Sequence, residues 1–332
     1  MNAVPSPPAW AEREPDPPVS SVPLAGRLWG RLILALGERL WGKPHPLAGR
    51  DLETLRTTET LHFRSAWNAY LAPVVAIRGA LVLDVGCGRG GKTAELGRLG
   101  ARLVIAVDRE EAMLRTTRDH LKASGVRGAV VLADAARLPF REGAFDVVLS
   151  QDTAEHLEDL PAAVAEMGRV MSTNGKLCIG FAPYPSAQGS HLGNFVALPW
   201  CHLLVPHPLL LERVRQRAKD LAETSSPEEA AALRQVEAWE RYHFKHCLLP
   251  LTLKGFERAI RQAGLHTIRR IRTGPWRFRP LLYLPWWSDR VIGEQVTVHV
   301  KGPARPTAVL LRAQATDDLR RIWLGLKRRI GI

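Results

Sequence analysis

The chain has 332 residues, of which 46% are hydrophobic, and its formal net charge is +13. That share of apolar residues is enough for a folded core, so the composition excludes a wholly disordered protein. Four cysteines are scattered without close pairing, which excludes a disulfide scaffold or a thiolate zinc site and fits a reducing compartment. No segment approaches the roughly 18 consecutive apolar residues of a membrane span. We therefore expect a cytoplasmic protein that is at most peripheral to a membrane.

The basic charge is concentrated towards the end of the chain. From Arg269 to Ile332 there are fourteen Lys or Arg residues and four Asp or Glu residues. A basic end can bind nucleic acid, anionic lipid or an anionic substrate. A general bias of composition is the alternative explanation of this charge. Arg far outnumbers Lys, and Ala, Pro and Gly are common, as in proteins from GC-rich genomes.

The first part of the chain precedes the regular pattern. Residues 1–23 are rich in proline and predict a disordered leader, and residues 24–78 predict N-terminal helices. Within them, leucines recur every fourth residue from Leu24 to Leu40, which predicts an amphipathic helix. A second helical stretch is expected from Asp51 to Ala72.

From residue 79 onwards, short apolar runs alternate with helical segments. The runs predict strands at Leu81 to Val85, Leu103 to Val107, Ala129 to Leu132, Phe145 to Leu149, Lys176 to Phe181, His266 to Arg272 and Gln295 to Val300. Helices are predicted at Lys92 to Leu99, Glu110 to Ser124, Leu160 to Met171 and Leu251 to Ala263. Such alternation is typical of βαβ units, and so of an α/β fold with a doubly wound, mostly parallel sheet. The core is expected in residues 79–182 and 251–302.

Residues 183–250 interrupt this rhythm, and the pattern from Glu212 to Tyr242 is helical and charged. Insertions on a regular sheet commonly carry specificity, so we expect an inserted cap that binds the acceptor. Residues 303–332 predict a basic amphipathic segment that docks on an anionic membrane surface, with packing on its own domain as the alternative.

A glycine loop joins the first strand to the first helix of the core. Glycines at Gly86, Gly88 and Gly90 allow a tight turn and the close approach of a ligand, and this edge of an open α/β sheet is where ligands bind. Asp108 ends the second strand, where its carboxylate can accept hydrogen bonds from two ribose hydroxyls. Asp134 follows the third strand, within reach of an adenine amino group. Together these residues indicate a nucleoside-containing cofactor.

Two other nucleotide sites share these residues. Gly86 to Thr93 matches GxxxxGK[ST], the phosphate-binding P-loop. Asp84 would then place negative charge beside phosphate, and Asp108 and Asp134 would have no role. Gly86 to Gly91 also fits the G-x-G-x-x-G pattern of nicotinamide sites, which the Asp134 segment and the next strand disfavour.

Four segments resemble, in order, the motifs of class I S-adenosylmethionine methyltransferases, especially the type 11 group. They are Leu81 to Gly90, Val104 to Asp108, Asp134 to Phe140 and Phe145 to Ser150. The resemblance implies a Rossmann-like sheet of seven strands, the last antiparallel, and S-adenosylmethionine as cofactor. It implies Asp84 near the methionine end, Asp108 on the ribose and Asp134 with Ala135 beside the adenine. The cofactor site is accordingly predicted to comprise Asp84, Gly86, Cys87, Gly88, Gly90, Asp108, Arg109, Asp134, Ala135 and Gln151.

A sulfonium methyl is already activated, so the enzyme has to place the acceptor and, for a hydroxyl, remove its proton. The candidates for this step are His156 after the fourth strand and Tyr184 and His191 after the fifth. Asp152-x-x-Glu155-His156 resembles the E-x-x-E-H of some quinone-ring O-methyltransferases, where it implies a divalent metal. Because Asp replaces the first Glu, we predict no metal.

The expected reaction is methyl transfer to oxygen of a small-molecule or lipid-linked acceptor. A nucleic-acid acceptor is not favoured, since neither an RNA-binding module nor an N-P-P-Y-type motif is present. The P-loop nucleotidase and a non-catalytic cofactor-binding protein are the alternatives from other classes. The sequence does not indicate an oligomeric state.

Overall fold

A single mixed sheet forms the centre of the protein. The computed structural model describes residues 15–41, 56–57, 60–61, 63–64, 67–187, 189–193, 195–273 and 294–302. The strands are β1 (Leu81–Val85), β2 (Leu103–Asp108), β3 (Gly128–Leu132), β4 (Phe145–Gln151), β5 (Met171–Phe181), β6 (Leu265–Thr273) and β7 (Glu294–Lys301). Their order across the sheet is β3-β2-β1-β4-β5-β7-β6.

Strands β1 to β5 run parallel to one another, and β7 runs antiparallel to both β5 and β6. The prediction of a seven-stranded, doubly wound sheet with an antiparallel last strand is therefore confirmed. The strand order changes direction between β1 and β4, so a crevice opens beyond the carboxyl ends of these two strands.

Helices cover the sheet and build the insertion. They are α1 (Leu24–Trp41), α2 (Gly91–Arg98), α3 (Glu111–Ala123), α4 (Leu160–Val170), α5 (His207–Ala222), α6 (Pro227–Tyr242) and α7 (Leu253–Gln262). Shorter helical turns occur at Val19–Ser21, Trp67–Leu71, Ala154–His156, Cys201–Leu204 and His243–Cys247. None of the helices in the described part of the chain is long and apolar enough to cross a bilayer.

The sheet is buried on both faces, which explains why its central strands read as continuous apolar runs. On one face, α4 and α7 contribute Met167 and Phe256, which pack with Phe181 of β5. On the other face, Phe63 and Trp67 from the region before β1 cover the sheet.

The insertion has an apolar core of its own, and α1 belongs to it. This third cluster unites residues of α5 and the preceding loop, such as Leu209 and Phe195, with Val22 before α1. Two glycines of α1 allow close contact: a Cβ at Gly30 would lie 2.9 Å from Leu209 Cδ2, and one at Gly37 would lie 3.0 Å from Leu198 Cβ.

The expected disordered leader is wrong for residues 15–23, which pack against the insertion. The Asp16 side chain is 4% exposed and forms ion pairs with Arg215, Arg241 and Lys245. Proline content suggested disorder, but a buried carboxylate among three cations holds this segment in place. Residues 1–14, the basic segment 303–332 and residues 51–55, 58–59, 62 and 65–66 of the second predicted helix lie outside the described residues.

The helical stretch predicted from Glu212 to Tyr242 consists of two helices, α5 and α6. The Ser226 hydroxyl accepts a hydrogen bond from the Glu229 backbone N–H at 3.3 Å, and the Glu229 carboxylate accepts one from the Ser226 N–H at 3.0 Å. This reciprocal capping box, followed by Pro227, begins a new helix and interrupts the apparent continuity.

Candidate functional site

The glycine loop after β1 has the backbone shape that its composition predicts. Gly86 and Gly90 have φ angles of 78° and 84°, a region that favours glycine. A Cβ at Gly86 would lie 2.3 Å from the Thr153 hydroxyl oxygen, and one at Gly90 would lie 2.9 Å from that of Thr117. Both positions therefore require glycine for conformation and for space.

A cavity of about 460 Å³ opens between this loop and the carboxyl ends of β2, β3 and β4. Among the predicted site residues, those that line it are Gly86, Cys87, Gly88, Asp108, Arg109, Asp134, Ala135, Gln151 and His156. Around Gly88 no heavy atom lies within 4 Å of a Cβ built at that position, so the loop leaves room for a ligand. Asp84, Gly90, Tyr184 and His191 are not among the lining residues.

Asp108 is held at the cavity wall by the backbone. Its Oδ2 accepts a hydrogen bond from the Gly88 N–H at 3.0 Å, and its Oδ1 accepts one from the Glu110 N–H at 3.0 Å. Burial raises the pKa of the carboxyl, while these N–H groups oppose that shift. The Arg109 backbone N–H is a third donor to this carboxylate, which has about four acceptor sites, so the side chain can still accept a hydrogen bond from a ligand.

Asp134 is exposed at the same edge, and its Oδ1 accepts a hydrogen bond from the Ala136 N–H at 2.8 Å. Ala135 beside it is buried and contributes an apolar part of the cavity wall. Arg109 forms an ion pair with Glu158 at 3.0 Å, and both side chains border the cavity.

Asp84 is buried beneath the glycine loop. It is 2% exposed, and its Oδ2 accepts a hydrogen bond from the Thr93 hydroxyl at 2.6 Å. The carboxylate thus faces helix α2 from β1 and does not reach the cavity surface. Its observed contact is to the first turn of α2, where it holds the end of the glycine loop.

The same contacts disfavour a P-loop. Thr93, which would coordinate magnesium there, is fully buried and donates to Asp84. Lys92, which would bind phosphate, forms an ion pair with Asp152 and donates to the Gln151 carbonyl at 3.2 Å. Both groups are thus engaged by carboxylates and a carbonyl rather than directed at an anion.

Three titratable side chains meet beside the cavity. Glu155, His156 and His191 each offer a ligand atom, and these atoms lie within 4.8 Å of one another. His191 Nε2 lies 3.7 Å from Glu155 Oε1, and the His156 and His191 rings stand edge to face with centroids 5.1 Å apart. The sequence placed the two histidines on different connections, and the fold brings them together.

Burial determines the protonation of this trio. It raises the pKa of Glu155 to about 8, with the Asp152 charge adding to the effect. It also lowers the pKa of His191 to about 4 and lowers that of His156. At neutral pH the carboxyl is therefore protonated and both imidazoles are neutral, a state in which they can accept a proton.

His156 is oriented by the insertion. Its Nδ1 lies 3.1 Å from the Cys247 carbonyl oxygen and so donates to it, which leaves Nε2 as the proton-accepting nitrogen. The Leu249 N–H donates to the Glu155 carbonyl at 2.8 Å, so the end of the insertion is fastened to the turn after β4. Cys247 itself lines the cavity.

Tyr184 lies farther from the cofactor side. Its N–H donates to the Leu251 carbonyl at 2.8 Å, and its own carbonyl accepts from His202 Nε2 at 2.6 Å. The side chain is half-buried, and desolvation raises the pKa of its phenol, which therefore remains protonated.

Glu155 is one of the candidates that follow the fourth strand in the sequence, but the sequence does not single it out as a catalytic residue. Its Oε2 is buried and has no hydrogen-bond partner among the described residues. The acidic spacing Asp152-x-x-Glu155-His156 was the available signal. However, its first carboxylate is 54% exposed and pairs with Lys92, so Asp152 does not converge with the other two.

Comparison with known proteins decides the family of the central region. Residues 83–179 match the family described as "Methyltransferase domain". Residues 83–179 thus have the sequence of a methyltransferase domain. The order of its motifs and its sheet topology both agree with this assignment, and the resemblance seen in the sequence is confirmed.

Relatives of this methyltransferase domain include quinone-modifying enzymes. The demethylmenaquinone methyltransferase of Thermobifida fusca is 35% identical over 137 residues, which are 40% of this chain and 58% of that protein. The ubiquinone/menaquinone biosynthesis C-methyltransferase UbiE of Burkholderia orbicola is 33% identical over 141 residues, 41% of this chain and 58% of the relative. The chain thus spans about three fifths of the length of both relatives.

Among the solved structures that this chain resembles is an S-adenosylmethionine dependent methyltransferase from Mesorhizobium loti. It is 16% identical, the alignment covers 70% of this chain and 96% of that one, and the TM-score is 0.45.

Proposed function

We propose that this protein transfers a methyl group from S-adenosylmethionine to a small-molecule acceptor with a hydroxylated ring. The observation that carries the proposal is the cavity itself. Along one continuous wall it combines the open glycine loop, the Asp108 carboxylate and His156. A nucleoside-containing cofactor at one end and a proton acceptor at the other are the two requirements of the reaction.

In this proposal the cofactor lies along the carboxyl ends of β1, β2 and β3. Asp108 accepts a hydrogen bond from a ribose hydroxyl at the acceptor site that the Gly88, Arg109 and Glu110 N–H groups leave available. Asp134 and Ala135 contact the adenine. Cys87, Arg109 and Gln151 complete the predicted set that lines the cavity. Asp84 and Gly90 do not line the cavity, and their part in the proposal is to hold the glycine loop in its observed conformation.

The proton acceptor that we propose is His156, with Glu155 and His191 behind it. When the acceptor attacks, the methyl group leaves the sulfonium sulfur, which keeps the bonding electron pair. The acceptor proton passes to His156 Nε2, which is available because Nδ1 donates to the Cys247 carbonyl. Protonated Glu155 adds no negative charge to the site. His191 supports His156 through the edge-to-face contact of their rings.

Loss of the hydroxyl proton increases electron density on the oxygen and on the neighbouring ring carbons. The same base therefore serves O-methylation, which is expected from the sequence, and C-methylation, which the name of the Burkholderia orbicola relative favours. In C-methylation the methylated ring carbon then loses its own proton to restore the aromatic ring, and the oxygen regains a proton. A lipid-linked ring acceptor remains part of the proposal, since both relatives are named for quinones.

Calorimetry with S-adenosylmethionine, its demethylated product and ATP tests the cofactor. We expect micromolar binding of the first two and none of ATP. Binding of ATP alone would overturn the proposal in favour of a nucleotidase. Incubation with methyl-labelled cofactor and a short-chain naphthoquinol tests the acceptor, and NMR of the product distinguishes a ring methyl from a methoxy group. Cofactor binding without any turnover of ring acceptors would contradict the acceptor class.

A further inference from the structure

Helix α1 has one face without a protein partner among the described residues. Its exposed fractions are 63% for Leu24, 60% for Leu28, 55% for Leu32, 43% for Leu36 and 67% for Leu40. With a rise of 1.5 Å per residue, these five leucines form a ridge about 24 Å long. Isolated exposed leucines are ordinary, but a contiguous ridge of them marks an interaction surface.

The ridge is a rigid part of the fold, because the opposite side of α1 packs closely on the insertion. Gly30 and Gly37 face Leu209 and Leu198 there at distances that leave no room for a side chain. Trp29 is 52% exposed beside the ridge, and its indole N–H donates to the Leu204 carbonyl at 3.0 Å.

The apolar surface continues onto the neighbouring one-turn helix Cys201–Leu204. Leu203 and Leu204 are 48% and 40% exposed. We name the five leucines of α1, Trp29, Leu203 and Leu204 the leucine ridge. The same short helix carries His202, which donates to the Tyr184 carbonyl at 2.6 Å. The ridge is therefore connected through one turn of helix to the segment that follows β5.

The exposed charged side chains of helix α1 are basic. Helix α1 contains Arg27, Arg31 and Arg39, and Arg31 and Arg39 are exposed. Its one acidic residue, Glu38, forms an ion pair with Arg213 of α5. An apolar ridge with a tryptophan at its side and basic residues around it fits the interface of an anionic bilayer.

We propose that the leucine ridge docks the protein on the surface of an anionic phospholipid bilayer. The helix lies in the plane of the interface rather than across it, since none of the described helices is long and apolar enough to span. The leucines enter the boundary between headgroups and acyl chains, while Arg31 and Arg39 contact phosphate. The test of this docking is independent of the proposed methyl transfer, because it measures binding to vesicles and not turnover.

Cosedimentation of the full chain with vesicles tests the proposal. The vesicles contain equal parts of phosphatidylcholine and phosphatidylglycerol, or phosphatidylcholine alone. The test variant replaces Leu28, Leu32 and Leu36 by Gln, which is also a good helix former. The matched control replaces two other leucines by Gln. They are Leu61 and Leu132, which lie outside α1 and are 57% and 58% exposed.

We expect the native chain and the control to bind anionic vesicles equally, and the triple variant to bind at least tenfold more weakly. Arg31→Gln with Arg39→Gln should weaken binding to anionic vesicles severalfold and leave the weaker binding to neutral ones unchanged. Equal binding of the triple variant and the native chain would overturn the proposal and assign the affinity to other basic segments.

A label at Leu32→Cys provides a local measurement that does not depend on the triple variant. The four native cysteines are buried, so an environment-sensitive fluorophore attaches selectively to this position. Its emission should shift to the blue on anionic vesicles. A blue shift without vesicles that grows with protein concentration would show instead that a second copy covers the ridge. A concentration-independent blue shift together with loss of thermal stability in the triple variant would show that the chain itself covers it.

Discussion

Asp108 combines two roles, since it supports the glycine loop and offers acceptors to a ligand. Asp108→Ala should lower the affinity for S-adenosylmethionine at least tenfold, because each hydrogen bond to a charged group contributes about 1.5 to 3 kcal/mol. Calorimetric titration measures this change. Asp119→Ala, at an exposed position of α3, serves as the control and should bind normally. Unchanged affinity of the Asp108 variant would place the ribose elsewhere.

Burial of Glu155 makes the stability of the folded protein depend on pH. Its unfolded pKa is 4.5 and its folded pKa is about 8, so between these values the folded state binds one more proton. The resulting stability is fully present below pH 4.5 and is lost as the pH rises to 8. Glu155→Gln cannot titrate. Its free energy of unfolding, relative to the native chain, should therefore rise by about 1.4 kcal/mol per pH unit across this window.

Urea denaturation at a series of pH values measures that difference for Glu155→Gln. The control Glu158→Gln makes the same chemical change at a side chain that is 87% exposed. A flat difference for Glu155→Gln would mean that the carboxyl is ionised in the folded protein at neutral pH.

At the scale of elements, the insertion supplies one side of the proposed acceptor site. His191→Ala should lower turnover about tenfold, which is less than the 10²- to 10⁴-fold contribution of the proton acceptor itself, and leave cofactor affinity intact. The control His266→Ala lies on β6 at an exposed position and should behave as the native chain. If turnover and cofactor binding decrease together in His191→Ala, the residue is structural.

The turn between β4 and α4 bears on the question of a metal. Asp152 has a positive φ of 55° and pairs with Lys92, so the three groups of the acidic motif do not share one site. We therefore expect full activity in the presence of a chelator. Loss of turnover that magnesium restores would show that Glu155, His156 and His191 hold an ion.

At the scale of the whole molecule, Asp16 joins the chain before α1 to the helices of the insertion. Asp16→Asn leaves Arg215, Arg241 and Lys245 without their shared carboxylate. Because the Arg215 side chain is half exposed, the expected loss is about 1 to 3 kcal/mol rather than the full cost of a buried pair. Thermal denaturation measures it, with Asp119→Asn as the control. Unchanged stability would show that the three ion pairs of Asp16 contribute nothing to the free energy of unfolding.

The central sheet and the cofactor loop could be predicted from the sequence because their signals are local. A strand buried on both faces is a continuous apolar run, and the observed strands differ from the predicted ones by only a few residues at their ends. The glycine loop likewise needs its residue types at fixed spacing, since Gly86 and Gly90 have backbone angles that other residues rarely adopt.

Tertiary structure alone decided which side chains face the cavity and which meet. Asp84 and Asp108 end neighbouring strands, yet one is turned towards Thr93 and the other towards the ligand space. His156 and the Cys247 carbonyl are 91 positions apart and lie 3.1 Å from each other. Such contacts depend on how separate elements pack, and no local pattern of residue types encodes that packing. The amphipathic pattern of α1 is local, so the sequence predicts it. Which side of the helix packs on the insertion, and which leucines stay exposed, is decided by tertiary packing.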